Sequence, residues 1–139
     1  MADCCKTETK LIYACSGAAD VGEIADRVVR RLRSEGSEKM TCLAGIAAGL
    51  SGFIQSAKGA DENITIDGCS LACARKTLER IGVAPTSYIL TELGLVKGGT
   101  PVTEGIIGEM YEKIISARSH PANNLPPRGT GGCCCGGKC

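Results

Sequence analysis

Along residues 10–118 two apolar patterns take turns. Leu11-Ile12-Tyr13-Ala14, Asn63 to Ile66 and Ser87 to Leu90 are short runs with the length and side-chain content of strands, and Lys39-Met40-Thr41 is a shorter, more polar candidate. Between them the apolar spacing changes to three and four. Val21, Ile24, Ala25, Val28, Val29 and Leu32 make one helical face, which Gly36 should end, with Asp20 standing where a side-chain cap is expected. Cys42 leads into a small-residue helix in which Gly45, Gly49 and Gly52 permit close backbone approach. The next helix is expected to follow Cys69 with Leu71, Ala74, Leu78 and Ile81 on its apolar face. A last one covers Thr103 to Ala117 and carries Ile106, Ile107, Met110, Ile114 and Ile115.

Alternating strands and helices predict an α/β fold: a small three-layer open sheet of about four mostly parallel strands with helices on both faces. Residues 1–9 form a polar lead and residues 10–118 the α/β domain. Residues 119–139, rich in Pro, Gly and Cys, hold too little apolar surface to offset their ordering entropy and are expected to be a disordered tail. Right-handed crossovers bring every strand-to-helix turn to the carboxyl edge of such a sheet, where its ligands bind.

Composition removes several function classes. The chain is 43% hydrophobic with a net charge of +1, and its aromatic side chains are Tyr13, Phe53, Tyr88 and Tyr111 alone. Nucleic-acid binding therefore lacks both a basic surface and a stacking platform. Arg27, Arg30, Arg31 and Arg33 are interleaved with Glu23, Asp26, Glu35 and Glu38, which reads as a solvated helix face. Met40 to Ala57 is uncharged, but Thr41, Ser51, Gln55, Ser56 and three glycines favour a buried core helix over a membrane span. Met1 to Lys6 opens no apolar leader, so a reducing cytoplasmic setting is expected. A phosphatase loop would need arginine at Val21, a lipidation box would need cysteine at Gly136, and no P-loop or dinucleotide fingerprint occurs. His120, the one histidine, cannot assemble a catalytic triad in the core.

The chemistry is concentrated in ten cysteines. In a reducing compartment such a set points to metal ligation or thiol redox work before disulfides. Cys15, Cys42 and Cys69 are 27 residues apart from one another in turn, and each falls at a predicted strand-to-helix junction. Cys73 follows Cys69 by four, which on a continuous helix sets the two thiols about 40° apart on one side. Four sulfurs gathered at one sheet edge suit zinc, and another thiophilic metal or an iron–sulfur cluster would take the same ligands. Small buried hydrophobes are the plain alternative. Asp67 can cap the following helix, Gly68 lets backbone N–H groups approach a thiolate, and Ser16 flanks the first cysteine, so these three form the supporting shell.

Tyr13-Ala14-Cys15-Ser16-Gly17, Cys42-Leu43-Ala44 and Ile66-Asp67-Gly68-Cys69-Ser70-Leu71-Ala72-Cys73-Ala74-Arg75-Lys76 together resemble the DGC-domain family, named for the Asp-Gly-Cys motif. The resemblance covers roughly residues 10–118. It implies four shared cysteines, matched here by Cys15, Cys42, Cys69 and Cys73, for which zinc binding has been suggested. Cys4, Cys5, Cys133, Cys134, Cys135 and Cys139 lie outside it. On glycine-rich segments they could form a second, labile metal or thiol site, and the linker from Arg118 to Cys133 spans roughly 20 Å as a flexible coil.

The expected function is that of a metal-binding protein, engaged in binding or delivery more than turnover, whose partners are a metal ion and a protein that accepts metal or sulfur. The rival is a thiol redox or persulfide-transfer protein using Cys15 or Cys69 at a helix N-terminus. A third reading is a partner-interaction module with a purely structural zinc.

Overall fold

The computed structural model describes residues 8–119. Strands β1 (Lys10–Ala14), β2 (Lys39–Met40), β3 (Glu62–Asp67) and β4 (Thr86–Ile89) form one all-parallel sheet in the order β2-β1-β3-β4. Helices α1 (Asp20–Glu35) and α5 (Glu104–Ser119) cover one face; α2 (Leu43–Ala47), α3 (Ser51–Gly59) and α4 (Cys73–Arg80) lie on the other. Strand β1 contributes alternate side chains to two cores, one on each face of the sheet. Ile12, Ala14, Ile64, Ile66, Tyr88 and Leu90 pack against Ile24, Val28, Ile107, Met110 and Ile114, while Leu11 and Tyr13 meet Ile46, Ala57 and Leu78. The predicted three-layer sheet is present, with every strand parallel.

The six apolar positions of α1 are all buried, and Gly36 closes the helix by donating its N–H to the Leu32 carbonyl. Several expectations need correction. Asp20 is the first helical residue and not the cap: its carboxylate accepts N–H groups from Val21, Gly98 and Thr100. The small-residue helix is two short helices, because Gly49 turns the chain at φ +76° between them. Only Gly45, Ile46 and Ala57 of the two are buried, so this is no core helix. Glu38 leaves the solvated face of α1 and is buried in an ion pair with Arg118 at the end of α5. The other pairs do lie along α1: Arg27 with Glu23, Arg30 with Asp26 and Arg31 with Glu35. Among the described residues no helix is long and apolar enough to cross a membrane.

The connections leaving β1 and β3 part to opposite faces although the two strands are neighbours, since α1 and α4 lie on opposite sides of the sheet. That divergence opens a crevice at their carboxyl ends, the place where open α/β sheets hold ligands.

Candidate functional site

Two loops meet in this crevice backbone to backbone. A Cβ on Gly22 would lie 2.6–2.8 Å from Gly17 main-chain atoms, and one on Gly68 would lie 2.7 Å from the carbonyl of Val21 and 2.9 Å from the nitrogen of Gly22. Only hydrogen at Gly22 and Gly68 lets the β1–α1 turn, the first turn of α1 and the β3–α4 loop stack this closely. The Gly68 N–H consequently reaches Cys15 and donates to its Sγ at 3.3 Å. Cys15 itself extends the sheet, its N–H donating to the Ile66 carbonyl. Ser16 then takes the left-handed conformation at φ +47°, and its hydroxyl donates to Asp26 at 2.9 Å.

Burial pushes the Cys15 thiol above its ordinary pKa; N–H groups of Gly68 and Gly17 oppose this, and negative charge at Asp67 and Cys73 adds to the rise.

Asp67, buried at the end of β3, sets where α4 begins. Its carboxylate accepts N–H groups from Ala74 at 2.7 Å and Arg75 at 3.1 Å, capping the helix from several residues upstream. Burial is the leading influence on its pKa and raises it, against the lowering by those two bonds. Because the cap fixes the start at Cys73, Cys69-Ser70-Leu71 is a turn closed by the Ala72 N–H on the Cys69 carbonyl, and Ala72 is left-handed at φ +50°. Cys69 and Cys73 therefore do not share a helix, and Leu71 is 57% exposed instead of packing with Ala74 and Leu78.

Lys97 is a participant that sequence patterns did not single out. Its ammonium donates to Cys69 Sγ at 3.7 Å. The loop that carries it is tied down by Asp20, which takes the Gly98 and Thr100 N–H groups at 2.9 and 3.0 Å; those bonds hold the Asp20 carboxyl below its usual pKa. The glycine pair Gly98-Gly99 after the fourth strand was the available signal that another turn reaches this edge.

Cys42 follows β2 at the N-terminus of α2 and is exposed. It lines, together with Cys15, an open cleft of about 690 Å³ between α1 and α2. All four core cysteines are free thiols near the carboxyl edge. Their chemistry fits a thiophilic cation. Their present arrangement is looser than a coordination sphere: among the described residues no three Cys, His, Asp or Glu side chains converge closely enough to hold an ion. Cys4, Cys5, Cys133, Cys134, Cys135, Cys139 and His120 lie outside the described residues.

Comparison with known proteins gives this edge a family. The anaerobic and virulence modulator AnvM of Pseudomonas aeruginosa strain PAO1 is 34% identical over 88 residues, covering 63% of this chain and 67% of AnvM. No solved structure matches the chain. The DGC domain matches residues 11–116, from β1 through most of α5 and across Cys15, Cys42, Cys69 and Cys73. With the Asp-Gly-Cys motif forming the loop that touches Cys15 and caps α4, the chain belongs to the DGC-domain family.

Proposed function

We propose that the carboxyl edge binds a thiophilic cation, zinc foremost, through Cys15, Cys42, Cys69 and Cys73. The observation that carries this reading is the convergence of the β1 and β3 loops, which sets Cys15 against the N–H of Gly68, the residue before Cys69, with all four core cysteines free thiols. Bound there, the cation would cross-link loops that otherwise meet only through backbone packing and a few hydrogen bonds. Since the thiols are not gathered beforehand, binding draws the loops inward and must displace the proton of Cys15, so affinity falls as pH falls. Asp67, Gly68 and Ser16 support the sulfurs through the bonds described above. The terminal cysteines supply a second, labile set through which metal passes to an accepting protein. A regulatory use of such thiols suits the name of AnvM, an anaerobic and virulence modulator.

A second reading, thiol redox or sulfur transfer, draws on the Lys97 ammonium at Cys69 and on the absence of three converging ligands among the described residues. Elemental mass spectrometry on the full chain purified without oxygen separates the two. About one metal ion per chain, lost in Cys15→Ser, Cys69→Ser and Cys73→Ser variants, is the expected result. A metal-free chain whose zinc affinity in a competition titration is untouched by those substitutions would overturn the binding reading and favour redox chemistry.

A further inference from the structure

We propose that the cleft between α1 and α2, which shares Cys15 and Cys42 with the proposed metal site, also takes a carboxylate-bearing low-molecular-mass disulfide of the glutathione type, with Cys42 as the exchanging thiol. The cleft opens beside β2, the two-residue edge strand, and so has no neighbouring strand on its outer side. Its walls differ in kind. The α1 wall presents Arg30 and Arg33, and the opposite wall offers an apolar surface of Leu43 from α2 and Phe53 from α3, continued by Met40. Arg30 is held by Asp26 at 2.6 Å, and Asp26 is held in turn by the Ser16 hydroxyl. Arg33 is exposed and makes no ion pair among the described residues, which leaves one uncompensated guanidinium at the mouth.

A guanidinium fork matches a carboxylate in two parallel hydrogen bonds, and the apolar wall suits the methylene stems of a small thiol peptide. The volume of about 690 Å³ admits such a molecule. Of the two thiols in the cleft, Cys42 is exposed whereas Cys15 is partly buried and engaged by Gly68. Cys42 is therefore the one an incoming disulfide meets.

In the exchange, Cys42 gives its proton to solvent and its thiolate attacks one sulfur of the disulfide R–S–S–R. The R–S–S–R bond breaks, a Cys42–S–S–R bond forms, and R–S⁻ leaves and takes up a proton. The protein thiol is oxidised and one half of the disulfide is reduced. The proposal does not depend on the metal reading, although a mixed disulfide at Cys42 would withdraw one proposed ligand.

The test uses the full chain, reduced and metal-free, with oxidised glutathione and the neutral bis(2-hydroxyethyl) disulfide as probes. Adducts are trapped in acid and assigned by peptide mass spectrometry, and their rates are compared. Cys42 is expected to carry the earliest glutathione adduct. Arg33→Ala should lower the ratio of charged to neutral reactivity at Cys42 about fivefold, the scale of one exposed guanidinium–carboxylate pair, and Arg33→Lys should restore part of it. The neutral disulfide should react with Arg33→Ala at the wild-type rate, which shows the fold and the thiol intact. An earliest adduct on another cysteine, or a ratio unchanged by Arg33→Ala, would refute the site. Metal content, measured separately, decides the other proposal.

Discussion

The packing of Gly68 against the first turn of α1 gives the sharpest test of the architecture beneath the thiols. A methyl group at residue 68 would sit 2.7 Å from the Val21 carbonyl carbon and oxygen and 2.9 Å from the Gly22 nitrogen, where ordinary contacts begin near 3.4 Å. The obstacles are main-chain atoms, so no rotamer relieves them. The backbone must move by several tenths of an ångström, yet Val21 and Gly22 are buried and Asp20 is tied to the loop at residues 98–100. Overpacking of this kind costs about 3 kcal/mol, the upper end of the usual range. For a domain of this size that lowers Tm by roughly 10 °C while leaving the protein folded. Gly52→Ala is the matched control: its Cβ meets nothing within 4 Å on an exposed helical position, so it should stabilise by about 0.5–1 kcal/mol. Urea denaturation followed by circular dichroism under reducing conditions reads both. Opposite signs are expected. Equal stability of Gly68→Ala and wild type would refute the claim that backbone contact holds the two loops together.

Three further outcomes follow from the same bonds. Asp67→Ala strips the acceptor from two helix N–H groups and should cost about 2 kcal/mol, whereas Asp67→Asn keeps one acceptor, sheds a buried charge and should cost under about 1 kcal/mol; urea midpoints in the reverse order would overturn the capping assignment. The Asp20 carboxyl lies below its ordinary value of 3.8 because it accepts loop N–H groups, so its contribution is present above pH 3.8 and is lost as pH falls through the folded value. Amide exchange at Gly98 and Thr100 should accelerate there relative to the sheet, and Asp20→Asn should remove that acid dependence. Burial lifts the Tyr13 phenol to about 12, so stability is full below pH 10 and declines from pH 10 to 12. Tyr13→Phe should abolish that alkaline loss yet cost about 1–2 kcal/mol at pH 7 by leaving the buried Asn63 Oδ1 without its 2.9 Å donor, as urea midpoints at the two pH values would report.

What the sequence determined by itself is the layout. Apolar periodicity distinguishes strands from helices, and parallel alternation requires the residues after β1, β2 and β3 to share one edge, so Cys15, Cys42 and Cys69 are legible from the sequence as neighbours of that edge. Periodicity records burial, however, and not the partner of a buried polar group. Leu71 fits the apolar phase of α4 yet is exposed, because Asp67 claims the N–H groups of Ala74 and Arg75 and starts the helix two residues later. Asp20 has the composition of a cap but spends its carboxylate on residues 98 and 100, and Glu38 is drawn from α1 to Arg118. Lys97 meets Cys69 only because the sheet order places β4 beside β3. The Asp20, Glu38 and Lys97 contacts depend on segments far apart in the chain arriving at the same few ångströms, where a donor or acceptor is satisfied by whichever group the fold brings to it. That pairing is decided by tertiary structure.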